Sequence, residues 1–334
     1  MFQHVNKPGR LVQSLTCKEI RVSQSAAKYT PDILNTLSPQ DVSDCFDLLG
    51  KDKLTEEQAH TLWQMILRVY GSADQIPEEK LRSLGWITKG IPPNNFFNMS
   101  FTDIDTVAAF GRYFELNLDQ LAALRDAVMF QWTSKEMSDL SSFDLANLGH
   151  ILCAFNVSDI SRIHADAYRD AANELSLLKN CSTEIIRGLA NLAMSPYAFG
   201  DPRKWTALQV SSIGCVIAGV AQVSSIPSEA FKGISPDIVN CLPSSFFQSM
   251  STAQLKLLPA TSGVAVNEDV LTSKQGAAIE EAISGPTSRN TATTSTIHSA
   301  TLRPILTLMA GSTLNKLLAN KLLATDTWFC IFCV

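Results

Sequence analysis

The chain has 334 residues, a formal charge of −5 and a pI near 5.6, and no Lys/Arg-dense stripe interrupts it, which excludes nucleic acid as a partner. Hydrophobic residues make up 46% and charged residues 18%, the composition of a folded protein able to bury a sizeable core. No segment reaches the roughly 20 consecutive apolar residues a membrane-spanning helix needs, so no such segment is expected.

From the N-terminus, Met1 to Leu15 carries His4, Lys7, Pro8 and Arg10 without an apolar run, so it does not read as a signal peptide. Residues 1–29 read as a poorly ordered lead-in, and helical repeats are expected over 30–284. The clearest helix is 56–70, where Ala59, Leu62, Trp63, Ile66 and Tyr70 form one face ahead of Gly71. A second spans about 119–131. A third, more polar, is expected over 161–178, with Ile163, Ala167, Ala171 and Leu175 facing inward and His164 in mid-helix. No run shows strand alternation or Asn-Gly hairpin turns. Residues 285–301 form a Ser/Thr-rich linker, and 302–334 an apolar helix with an irregular tail.

One phrase organises this chain. It reads Ile91-Pro92-x3-Phe96-x2-Met99-Ser100, then Ile226-Pro227-x3-Phe231-x2-Ile234-Ser235, then Leu242-Pro243-x3-Phe247-x2-Met250-Ser251. A looser copy, Ile76-Pro77-x3-Leu81-x2-Leu84-Gly85, ends in Gly. Pro punctuates the chain, the apolar residues lie one helical turn apart, and the closing Ser is expected to cap a following helix. Ile91, Phe96, Met99, Ile226, Phe231, Ile234, Leu242, Phe247 and Met250 are therefore expected to pack between repeats, together with the neighbouring Phe97 and Phe246.

Helix starts of the capping-box kind occur at Ser38/Asp41, Thr55/Gln58, Ser100/Asp103, Thr133/Glu136, Ser141/Asp144, Thr206/Gln209, Ser251/Gln254 and Thr272/Gln275. Several are followed by Gly50, Gly111, Gly149 or Gly214, which are expected to end helices in the left-handed conformation. Leu145-Ala-Asn-Leu148 recurs as Leu189-Ala-Asn-Leu192, and Pro31-Asp-Ile-Leu-Asn-Thr-Leu37 as Pro236-Asp-Ile-Val-Asn-Cys-Leu242. Such repetition implies an all-α chain of stacked units, which build surfaces more often than active sites.

The chemistry-bearing residues offer no catalytic constellation, and the chain is expected not to be an enzyme. Gly85-x4-Gly90 lacks the Lys-Ser/Thr of a phosphate loop, and neither HExxH nor GxSxG occurs. His4, His60, His150, His164 and His298 are scattered, and Glu280-Glu281 reads as a solvated face. No metal or cofactor site is expected, since Cys330-x2-Cys333 lacks a second ligand pair. The eight cysteines are even in number and widely spaced, which leaves their pairing open. Asn98, Asn156 and Asn180 head N-x-Ser sequons and are candidate N-glycosylation acceptors if the chain enters the secretory pathway.

Short helices joined by Ile-Pro-x3-Phe-x2-Met-Ser phrases, with Leu-Gly or Phe-Gly stops and the stretch Asp144-Leu-Ala-Asn-Leu-Gly-His-Ile-Leu-Cys-Ala-Phe155, resemble the mesothelin–stereocilin–otoancorin family over about 30–285. The resemblance implies a superhelical array of short armadillo-like repeats. It also implies an extracellular, often lipid-anchored glycoprotein at the apical cell surface, attaching epithelium to extracellular matrix, to cell-surface glycoproteins or to the acellular gels of the inner ear. Two features depart from the family pattern, the missing export signal and a tail after Lys321 broken by Thr325, Asp326 and Thr327, which suits no GPI signal. They lead to the expectation of a truncated or alternative product of a family gene, with a cytosolic helical scaffold or a non-functional truncated product as the alternatives.

Overall fold

The computed structural model describes residues 14–132 and 135–285, and every regular element among them is helical, with no strand. The Ser/Thr-rich linker beyond Gly285, the expected C-terminal helix and Thr133 of one expected capping box lie outside the described residues. Among the described residues four helices are long: Glu56–Tyr70, Leu118–Gln131, Thr183–Ala193 and Ser273–Ser284. The others are one or two turns, too short to be stable alone, so packing must hold them.

Six-residue 3-10 segments at Gly85–Gly90 and Gly214–Gly219 pack against the helices Glu56–Tyr70 and Thr183–Ala193. Gly149–Ala154 packs in the same way against Leu118–Gln131. These segments begin about 65 residues apart, a true internal period. The stronger packing partners are close in chain order throughout, and one buried apolar cluster runs from Leu15 to Ile279.

Four glutamines each tie their helix to a segment about 30 residues earlier. At the third position of its helix, Gln58 accepts from the backbone N–H of its cap, Thr55, at 2.9 Å. Its other end donates to the carbonyls of Ala27 (3.1 Å) and Tyr29 (2.7 Å). Gln120 repeats this on Lys89 and Ile91, Gln254 on Val223 and Ile226, and Gln275 on Phe247, Gln248 and Met250. Ile91 and Ile226 precede prolines, which hold them extended (ψ 122° and 134°) and free their carbonyls from any helix. Gln209 closes the same box on Thr206, but among the described residues its amide bonds no earlier carbonyl.

The glycine stops divide into two kinds. Gly149 and Gly214 take positive φ, as expected. Gly50 and Gly111 do not, with φ of −105° and −69°. Glycine is needed there because two backbones meet: a Cβ on Gly50 would lie 1.8 Å from the Leu84 carbonyl oxygen, and one on Gly111 would lie 2.5 Å from that of Asn147.

Other expectations are corrected. The lead-in is helical from Cys17 to Ser23, with a Thr16–Glu19 capping box and a disulfide from Cys17 to Cys45. The helix expected over 161–178 is two, Val157–Arg162 and Ala165–Ala171, because Ile163 turns inward in an extended conformation and His164 begins the second. Ser235 and Ser251 cap helices, whereas Ser100 donates to Glu78 and leaves Asp103 to cap Ile104–Phe110. Ser38 caps its helix, and the Asp41 carboxylate accepts both from the Ser38 hydroxyl and from Cys17 N–H. Phe97 is 52% exposed, while Phe96, Phe246 and Phe247 are buried.

Among the described residues three disulfides are present, Cys17–Cys45, Cys153–Cys181 and Cys215–Cys241, each joining cysteines 26 to 28 positions apart.

Candidate functional site

Backbone crossings gather polar and aromatic side chains from distant segments. Trp86 N–H donates to Gly50 C=O at 2.8 Å, and His150 N–H to Gly111 C=O at 2.8 Å. Cys215 N–H donates to Ser176 C=O at 2.7 Å. The first two crossings bring residues 50–53, 85–89, 111–116 and 149–150 together, and His150 draws in 179–180.

Glu115, held at φ 57°, stands in the middle. It takes Lys89 Nζ at 2.8 Å and also bonds Lys53. Hydrogen bonds from Lys53 and Lys89 hold its carboxyl below the usual range. Lys53 lies over Trp86, 5.6 Å from the ring centroid, and Trp86 meets Phe114 edge-on at 5.6 Å. Beside them, Tyr113 packs on His150 with ring centroids 4.9 Å apart, and Lys179 lies 6.0 Å over Tyr113. Asn180 Nδ2 donates to Tyr113 Oη at 2.5 Å. Burial pushes the Tyr113 phenol up, as does Glu115.

His150 joins three segments. Its Nε2 accepts from Lys179 N–H at 3.0 Å, while its ring also bonds the Gly111 backbone. Burial drives its pKa down to about 4, aided by the Lys179 charge and opposed by the Gly111 bond, so the ring is neutral near pH 7. The cluster thus has three ammonium groups against one carboxylate, set among rings on a chain of net negative charge.

A cleft of about 350 Å³ lined by Arg125, Lys135 and Arg162 is electrostatically closed. Arg125 pairs with Asp126 at 2.6 Å, Arg162 with Glu136, and Lys135 with Asp144. Among the described residues no group of His, Cys, Asp or Glu gathers as metal ligands, and no helix is long and apolar enough to cross a membrane.

The repeat-phrase residues Ile91, Phe96, Met99, Ile226, Phe231, Ile234, Leu242, Phe247 and Met250 are all buried in the common core. The three sequon asparagines are exposed and stay apart. Asn98 lies past the turn Pro93–Phe96, Asn156 caps Val157–Arg162 through its Oδ1, and Asn180 is tied to Tyr113. The lysine–aromatic cluster went unseen in the sequence because its members come from five separate segments, each locally unremarked. The paired glycines 50/85 and 111/149 were the available signal.

No family model matches the chain. It is 25% identical over 271 residues to otoancorin of Mus musculus, covering 79% of this chain and 24% of that protein. It is 26% identical over 223 residues to otoancorin of Homo sapiens, covering 66% and 19%. The chain is a homologue of otoancorin and stereocilin. Human stereocilin is 23% identical over 258 residues, which is 76% of this chain and 14% of that protein. The chain therefore spans a quarter or less of the length of these relatives.

Proposed function

We propose that this chain is a non-enzymatic attachment protein of the extracellular space or apical cell surface, resembling otoancorin in linking epithelium to the acellular gels of the inner ear. The observation that carries the reading is similarity to otoancorin and stereocilin over most of the chain. The repeats form an armadillo-like superhelix in this proposal, supported by the 65-residue recurrence and by packing between neighbours in sequence. Stacked units give a long surface on which a few aromatic and charged anchors supply affinity for matrix or cell-surface glycoproteins.

Export is supported by the three disulfides, which do not persist among the reduced thiols of the cytosol. Glycosylation at Asn98, Asn156 or Asn180 belongs to the same proposal. The test is peptide mapping of protein taken from cells without reduction, combined with glycosidase treatment. Linked peptides for 17/45, 153/181 and 215/241 with a glycosidase shift are expected. Six reduced thiols and no glycan would instead make the chain a cytosolic scaffold.

A further inference from the structure

We propose that the cluster of Lys53, Lys89 and Lys179 around Trp86, Tyr113 and Glu115 is a binding surface for a linear polyanionic glycan, a chain bearing sulfates or carboxylates. The proposal rests on the attachment reading and names the chemistry of its partner. Charge complementarity is the first argument. Three ammonium groups stand against the single Glu115 carboxylate on a protein whose net charge is −5, so the surplus is local. Lys53, with a side chain 62% exposed, sits at the outer edge, and Lys89 holds the inner one.

The second argument is the placing of the rings. Partly buried Trp86 and Tyr113 lie under Lys53 and Lys179 respectively, so each of these two lysines is paired with an aromatic face. Sugar rings carry apolar C–H faces that pack on aromatic rings, while their anionic groups take the ammonium protons. Two such pairs in one cluster suit a chain of several sugar units better than a single small anion. Rigidity is the third argument. The backbone crossings at Gly50/Trp86 and Gly111/His150 fix the segments from which these side chains rise, so little order is lost on binding.

The test uses the full chain against immobilised heparin, hyaluronan and neutral dextran, read by surface plasmon resonance across a salt series. Heparin carries sulfates and hyaluronan only carboxylates, so the two arms separate the sources of negative charge. Binding to at least one polyanion, weakening with salt, and no binding to dextran are expected. Lys53→Ala with Lys179→Ala should weaken binding at least fivefold, whereas Lys232→Ala with Lys256→Ala should leave it unchanged. Glu115→Gln removes the opposing charge and should tighten binding about threefold, a gain that misfolding cannot imitate. No polyanion binding at low salt, or indifference to both the Lys53/Lys179 and Glu115 changes, overturns the proposal. If the double variant still attaches to matrix gel as the parent does, this surface fails while the attachment function stands. If the parent chain does not attach at all, the attachment reading fails first.

Discussion

Gln120 Nε2 donates to the carbonyl of Ile91 at 2.8 Å, 29 positions earlier in the chain. One side chain thus caps its own helix and grips the proline-led phrase of the preceding half-repeat. Gln254 does the same to Ile226, also at 2.8 Å, and is 1% exposed.

Replacing Gln254 with Met should therefore cost more than the loss of a cap. It leaves the Ile226 carbonyl without a partner, takes one of two donors from the Val223 carbonyl and removes the Ser251 N–H cap, for a loss of about 2–4 kcal/mol. Gln209→Met removes a capping contact alone and should cost about 1 kcal/mol. Urea unfolding, with hydrogen exchange at residues 223–227 to locate the loosened joint, checks the difference. Equal costs would mean that the grip on the preceding phrase contributes nothing.

Glycine substitutions should part in sign. Gly50→Ala forces a Cβ into the Leu84 carbonyl, which must separate the two backbones, and a loss of more than about 3 kcal/mol is expected. Gly276→Ala, within the helix Ser273–Ser284 and with nothing near its Cβ, should stabilise by about 0.5–1 kcal/mol. Thermal melts of the two variants beside the parent give the answer.

Acid should weaken the protein in two windows. His150 has its pKa lowered from 6.5 to about 4, so the unfolded chain binds its proton first. The stability this contributes is complete above pH 6.5 and falls as pH drops to 4, by up to about 3 kcal/mol. Burial alone would raise the Glu78 pKa, but hydrogen bonds from Ser100, Thr102, Thr106 and the Asp103 N–H hold it at about 2. Its contribution is present above pH 4.5 and disappears as pH falls toward 2. Melting midpoints measured from pH 8 to 2 should show both declines, and His150→Gln should remove the upper one.

Tyr168 is buried, and its hydroxyl has no hydrogen-bond partner among the described residues. Burial accordingly raises its pKa. Tyr168→Phe keeps the ring and discards the orphaned group, so it should be neutral or stabilising by about 1 kcal/mol. A clear loss of stability on chemical denaturation would reveal a partner for the hydroxyl.

The sequence by itself determined the all-α class, the long helices at 56–70 and about 119–131, most of the caps and the buried phrase residues. All of these are local: hydrophobic spacing, a capping oxygen three residues from its amide, and a proline are readable within one helical turn. Helix 161–178 was misread because its composition is helical throughout; Ile163 is buried as expected, but its backbone is extended and ends one helix before His164 begins the next. The reasons for Gly50 and Gly111, the pairing of six cysteines, the second half of each glutamine's hydrogen bonding and the lysine–aromatic cluster were decided by tertiary structure alone. Each depends on two backbones or side chains meeting about 25 or more positions apart, and no local pattern encodes which segments will touch.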